Sequence, residues 1–253
     1  MNTAIRNFFP ALSRKHNGNN LVFLDGPAGV QVPIQVINAI SGYYKNSNAN
    51  SHGYFITTRE TDEVLSNVRQ DMAALLGAEG PETISRWQNM SNLSFSLSKA
   101  IQRALQPGDE ILITQLDHEA NRGPWLSLRG SGIVVREVKL LDNGKLDYED
   151  FAAKINEHTR LVAMGWASNI FGTINEVEIV RALCHQVGAW LLLDAVHYAL
   201  HLPIDVQAVG CDFLLCSAYK FYGPHVGILY SKPGLLDRLQ PDRLRTTDQQ
   251  APY

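Results

Sequence analysis

Along most of the chain, short apolar runs alternate with segments whose apolar residues recur three or four apart. That alternation constrains the fold more than any single motif. Runs at residues 83–87, 110–114, 133–138, 161–166, 190–193, 213–216 and 227–230 have strand length and near-continuous apolar character. Helical spacing follows Pro33 (Val36, Ile37, Ile40, Tyr44) and covers 61–76, where Gly77 stops it. Another helical stretch carries Leu93, Leu97, Ile101, Ala104 and Leu105 and ends at Pro107 and Gly108. Shorter helical candidates lie at 125–128, 148–155 and 177–187, the last closed by Gly188. Strands apolar on both faces, joined by amphipathic helices, predict an α/β fold with a mainly parallel sheet covered on both sides. No internal repeat or low-complexity tract interrupts the pattern. After Tyr230 the chain turns polar, with no convincing terminal element.

Composition narrows the classes of function. A chain of 253 residues with 45% hydrophobic side chains can bury a sizeable core. Twenty-two basic against twenty-five acidic residues argue against a nucleic-acid surface or a polybasic membrane patch. The longest apolar run, 189–200, is broken by Asp194 and His197 and is too short to span a bilayer. The first fifteen residues lack the apolar core of a signal peptide. Three cysteines, Cys184, Cys211 and Cys216, form no CxxC pair and suit a reducing cytoplasm better than a disulfide framework or zinc site.

In open α/β sheets, ligands bind beyond the carboxyl ends of the parallel strands. Those ends carry Gln88-Asn89-Met90-Ser91, Asp117-His118, Ser168-Asn169, Asp194 with His197, and Ser217-Ala218-Tyr219-Lys220. There is no P-loop, no GxGxxG after a strand, no HExxH and no GxSxG elbow, so nucleotide, zinc-hydrolase and α/β-hydrolase readings lose their main support. A lysine and an aspartate at successive strand ends suit pyridoxal 5′-phosphate. That cofactor needs an amine for a Schiff base, a carboxylate for its ring nitrogen and a cradle for its phosphate. The turn at Asn89–Ser91, opening a helix, offers backbone N–H groups to the phosphate, with Ser217 as a further donor. Plainer readings stand beside these. Lys220 is read as a surface lysine, Asp194 and Asn169 as turn residues, and His118 as a helix cap. His197, His201 and His225 lack metal-ligand spacing and suit packing or partner contact. Cys211 and Cys216 suit core burial.

At these residues the chain resembles the class V aminotransferase branch of fold type I pyridoxal-phosphate enzymes, in particular cysteine desulfurases and desulfurase-like proteins. The resemblance runs from Leu24-Asp25-Gly26-Pro27-Ala28-Gly29 to about Tyr230. It rests on Asp117-His118-Glu119-Ala120-Asn121, Ser168-Asn169-Ile170-Phe171-Gly172-Thr173, Leu193-Asp194-Ala195-Val196-His197 and Cys216-Ser217-Ala218-Tyr219-Lys220-Phe221-Tyr222-Gly223-Pro224. It implies a fold type I large domain. Lys220 would be the Schiff-base lysine and proton shuttle, Asp194 the partner of the pyridinium nitrogen, and His118 a ring-stacking group that assists proton transfer. It places Asn169 at the ring's phenolic oxygen, Asn89, Met90, Ser217 and Tyr219 around the phosphate, and His197 beside the ring near Asp194.

Three departures point to the desulfurase-like branch. Asn89-Met90 stand where a typical desulfurase has Thr-Thr, Tyr219 stands in place of a His, and His197 in place of a Gln. Met90 can contribute only its backbone N–H. The resemblance further implies a homodimer, a small amino acid as substrate with cysteine the leading candidate, and no metal, nucleic acid or membrane. It divides the chain into an arm (residues 1–32), a cofactor-binding domain (33–232) and the start of a connection (233–253) to a C-terminal small domain that is missing here. That missing domain would bring the substrate-binding arginine and sulfur-accepting cysteine, so the 253-residue chain is expected to be truncated and incomplete as an enzyme. The alternatives are a catalytically incomplete cofactor-binding module, or an aminotransferase or epimerase of the same branch.

Overall fold

The computed structural model describes residues 3–242; of the expected connection at 233–253, residues 243–253 lie outside the described residues. Among these residues the main sheet has seven strands. They are β1 (Ile84–Trp87), β2 (Glu110–Thr114), β3 (Val134–Val138), β4 (Thr159–Gly165), β5 (Trp190–Asp194), β6 (Phe213–Ser217) and β7 (Gly227–Ser231). Their order is β1-β7-β6-β5-β4-β2-β3. The β6–β5, β5–β4, β4–β2 and β2–β3 pairs are parallel; only β7, between β1 and β6, runs against its neighbours. Six strands therefore deliver their carboxyl ends to one edge.

The helices longer than four residues are α1 (Ile34–Asn46), α2 (Ile56–Leu76), α3 (Met90–Gln102), α4 (Glu119–Leu126), α5 (Tyr148–Lys154) and α6 (Val177–Val187). Side chains alternate across each strand and so feed two cores. Ile111 and Ile113 of β2 pack on the face covered by Leu93, Leu97 and Ile101 of α3 and Trp125 of α4. Leu112, between them, joins Leu76 of α2, Phe151 of α5 and Val180 of α6 on the other face. All five residues of β2 are buried, as are those of β6 and β7. Continuous apolar runs thus reflect burial on both sides.

Two expectations need correction. The helix predicted at 125–128 begins at Glu119 and ends at Leu126, followed by a 3-10 turn at Ser127–Ser131. Gly123 and Pro124 read as breakers, but Pro124 gives up one backbone hydrogen bond inside a helix that His118 caps. The helix predicted from residue 61 starts at Ile56. Helical apolar spacing in α1 and the first half of α2 does not mean burial: Ile37, Ile40, Tyr44, Val64 and Val68 are exposed, and α1 buries no residue.

Candidate functional site

Strand ends bring the polar groups together. Asp194 closes β5, and Lys220 ends the 3-10 turn Ala218–Lys220 that leaves β6, the strand paired beside it. Both are buried, 7% and 6% exposed. A cavity of about 290 Å³ holds them together with Asn89, Met90, His118, His197, Ser217 and Tyr219. Eight of the nine predicted site residues therefore share one space. The ninth, Asn169, lines a small cleft beside it with His118, Asp194 and His197, and also a wider cleft of about 660 Å³ that reaches Lys220.

Asn89 explains the far end of the cavity. The first N–H groups of a helix have no intrahelical acceptor. Asn89 Oδ1 accepts one, from Asn92 at 2.8 Å, which leaves those of Met90 and Ser91 at the cavity wall. Gly227, the first residue of β7, lies so close that a Cβ there would stand 2.4–2.6 Å from the backbone atoms of Asn89 and Met90. Only glycine lets β7 seat the helix start at this depth.

The ring of His118 is fixed by a cap: its Nδ1 accepts the Ala120 N–H at 3.0 Å, so Nε2 is the nitrogen left for other chemistry. The cap and the cavity position coexist, so the plainer reading of His118 and the functional one are both compatible with its geometry. Asp194 Oδ1 accepts the Val196 N–H at 2.9 Å, while Oδ2 has no hydrogen bond among the described residues. Burial pushes the Asp194 carboxyl up to about 6, against the Val196 hydrogen bond and the attraction of His118 and Lys220. Burial also lowers the Lys220 ammonium, with Asp25 and Asp194 pulling it back. His197 is driven down to about 4 by burial and then by Lys220, His118 and His201, so it is neutral at pH 7.

Two contributions escaped the sequence reading. Asp117 sits behind His118, its Oδ1 accepting the Gly165 N–H at 2.6 Å and its Oδ2 the Thr114 N–H at 3.2 Å. It ties the end of β2 to the end of β4, and Gly165 is the register partner of Asp194. Burial raises Asp117 to about 7. The other contribution is the N-terminal arm. The Pro27 carbonyl accepts a hydrogen bond from Lys220 Nζ, and the Val30 N–H donates to the Tyr219 carbonyl. The only signal for either lay inside the quoted motifs, without any indication of what they touch. Cys184, Cys211 and Cys216 are buried, each thiol pushed up to about 12 by burial.

The family model for class-V aminotransferases matches residues 22–248. A cysteine desulfurase of Enterobacter sp. (strain 638) is 37% identical over 244 residues, covering 94% of this chain and 59% of that protein. A probable cysteine desulfurase of Halalkalibacterium halodurans is 35% identical with the same coverage. Among solved structures, a cysteine desulfurase of Escherichia coli matches 99% of this chain and 65% of its own, with a TM-score of 0.85 at 28% identity. The apo cysteine desulfurase of Thermococcus onnurineus gives 0.87 at 27% identity, over 96% and 60%. Fold and sequence together define an α/β protein similar to cysteine desulfurases. The chain belongs to the aminotransferase class-V family, whose members use pyridoxal phosphate. It spans about 59% of the length of the curated relatives it matches.

Proposed function

We propose that this chain is the pyridoxal-phosphate-binding part of a cytoplasmic, homodimeric cysteine desulfurase-like lyase or transferase, acting on a small amino acid, with cysteine to alanine as the leading reaction. In this reading residues 1–32 form the arm, 33–232 the cofactor domain and 233–253 the start of a connection. The observation that carries it is the pairing of a buried amine with a buried carboxylate at adjacent strand ends, in one cavity closed by a helix N-terminus. The residues fit the cofactor chemically. Asp194 Oδ2 is an unpartnered, nearly buried acceptor that a pyridinium N–H would satisfy. Met90 and Ser91 N–H groups, the positive end of α3 and the Ser217 hydroxyl suit an anionic phosphate.

When bound, pyridoxal phosphate withdraws electrons from the substrate Cα and makes its proton acidic. The chain's own groups do the rest. Lys220 Nζ would anchor the cofactor and, once free, would carry the Cα proton; its depressed pKa suits that base. Asp194 would keep the ring nitrogen protonated, because a carboxylate beside it favours the pyridinium form. His118, fixed through Nδ1, would stack on the ring and assist proton movement through Nε2. His197, neutral, would lie beside the ring near Asp194, and Asn169 would hydrogen-bond the phenolic oxygen. Asn89 and Tyr219 shape the phosphate end. A homodimer would account for the exposed apolar side chains of α1 and for the exposed Val22, Leu24, Tyr54 and Phe55. No helix among the described residues is long and apolar enough to cross a membrane.

A second reading is an aminotransferase or epimerase of the same family. All three cysteines of this chain are buried with raised pKa, so in the desulfurase reading the sulfur-accepting thiolate comes from elsewhere in the full-length protein. Added pyridoxal phosphate should colour the protein yellow, and borohydride should fix the label on Lys220. A protein that stays colourless would overturn cofactor binding. Release of alanine and sulfide from cysteine by the full-length enzyme supports the desulfurase; keto-acid formation or inversion at Cα without sulfide supports the second reading.

A further inference from the structure

We propose that His225 is a phosphate-end residue of this site, donating a hydrogen bond from its imidazole to the cofactor's phosphate; the inference rests on the pyridoxal-phosphate reading above. His225 lines the same cavity as Asn89, Met90, Ser91, Ser217 and Tyr219. Its place in that cavity follows from the chain. Two residues on, Gly227 lies against the Asn89–Met90 peptide and is in register with Ser217 on one side and Trp87 on the other. His225 is therefore anchored at the helix end of the cavity. Lys220, held at the arm by the Pro27 carbonyl, places its Nζ 5.0 Å from the centroid of the Tyr219 ring.

The imidazole is held in one orientation. It stacks face to face on the Tyr219 ring, centroids 4.2 Å apart and planes 7° from parallel. Tyr219 is itself wedged: a Cβ on Gly29 would come within 3.2–3.3 Å of its ring, and its carbonyl takes the Val30 N–H. Stacking occupies a ring face, whereas the two nitrogens lie in the ring plane and bond at its edge. Neither nitrogen of His225 has a partner among the described residues.

Charge balance supplies the reason for a donor here. Apart from Lys220, whose amine would be committed to the cofactor's aldehyde, no lysine or arginine lines this cavity among the described residues. The other donors lining it near the helix start are neutral: the Gln88 and Asn89 amides, the Ser91, Ser217 and Tyr219 hydroxyls and backbone N–H groups, while Met90 offers no side-chain donor. None of them brings a positive charge to a phosphate dianion. An aromatic-stacked imidazole at that end adds an N–H and, when protonated, a positive charge.

The test compares pyridoxal 5′-phosphate with pyridoxal, which has the same aldehyde and ring nitrogen but no phosphate. Affinities are read by absorbance titration of the 253-residue chain, with His225→Ala and His225→Phe beside the wild type. Phe keeps the aromatic stack and removes the donor. Both variants should weaken pyridoxal phosphate about tenfold or more, as loss of a charge-assisted hydrogen bond does, and change pyridoxal less than about twofold. If both ligands weaken equally, or if His225→Phe binds pyridoxal phosphate like the wild type, His225 only packs on Tyr219 and the inference falls. A wild-type chain that takes up neither ligand would instead sink the underlying cofactor reading.

Discussion

The two clefts that meet at Lys220 are built from different materials. The inner cavity, about 290 Å³, is walled by strand ends and one helix start, and most of its polar lining is fixed by hydrogen bonds or stacking. The outer cleft, about 660 Å³, is walled by the arm (Phe23, Leu24), the loop between β4 and α6 (Asn169, Ile170) and the segment after β5 (Tyr198, Leu202). Leu24 is 87% exposed and Ile170 76% exposed. A site that must hold a charged cofactor in one pose needs preorganised donors. A surface that meets substrate or another protein segment can leave apolar side chains open. The inner cavity therefore reads as the chemical half and the outer cleft as the adaptable half.

The strongest attack on that division is at Lys220, which lines both clefts together with Val196 and His197. Lys220→Ala should abolish borohydride-stable labelling and weaken pyridoxal phosphate on the order of 100-fold, because the covalent anchor is lost. Mass analysis of reduced, digested protein checks this directly. Labelling that persists on another lysine would move the chemistry out of the inner cavity.

Asp117 is the next test, because it stiffens the inner wall at an electrostatic cost. Burial lifts it to about 7, well above the ordinary 3.8 of an aspartate, so the folded chain holds a proton there that the unfolded chain has lost. Stability from this group is therefore full below about pH 4 and falls as pH rises to about 7. Asp194, raised to about 6, acts with the same sign in the apo-protein. Asp117→Asn cannot ionise. It should gain on the wild type by about 2–3 kcal/mol between pH 5 and pH 8, read by denaturant unfolding of the apo-protein. At pH 5 the variant should be the weaker, by about 1–2 kcal/mol, since its amide N–H meets the Thr114 N–H where the carboxyl oxygen accepted it. An unchanged difference between the two pH values would mean that Asp117 is ionised in the fold.

Gly227→Ala probes the seat of α3. The added methyl would overlap backbone atoms that cannot rotate away, and overpacking of this kind costs about 1–3 kcal/mol. It should lower stability and weaken pyridoxal phosphate more than pyridoxal, since the displaced groups are the Met90 and Ser91 N–H donors. Equal weakening would place the phosphate elsewhere.

How much of this could be read from the sequence follows the same division. Strand-end residues of the inner cavity were legible because fully buried parallel strands announce themselves as apolar runs, and ligands sit beyond their carboxyl ends. Asn89, Asp194, Ser217 and Lys220 fall where that rule puts them. Asp117 was visible as a strand-end residue, but its bond to Gly165 depends on β2 and β4 being neighbours, which no local pattern encodes. The Tyr219–His225 stack crosses a turn bent by Gly223 and by Tyr222 at a φ of 72°, so spacing alone suggested nothing. Start and end of α4 were hidden by Gly123 and Pro124. The outer cleft was invisible for a plainer reason: periodicity tells which residues share a face, not whether anything covers it. Leu24 and Ile170 look like core residues in sequence and are among the most exposed apolar side chains in the structure.

The smallest expected effect is the sharpest check on the outer half. In a Leu24→Ser/Ile170→Ser double variant, two exposed apolar side chains are replaced by small polar ones, and neither side chain has a hydrogen bond to lose. Surface changes of this sort usually move stability by no more than about 0.5 kcal/mol. Ile170 donates its backbone N–H to Ser168 Oγ at 3.2 Å, and serine at 170 keeps that bond, so the loop conformation stays. Pyridoxal-phosphate affinity should therefore match the wild type within about twofold, while the wall of the outer cleft becomes polar. Absorbance titration settles the point. A loss of tenfold or more would mean that the arm and the loop brace the inner cavity, and that the two clefts work as one site.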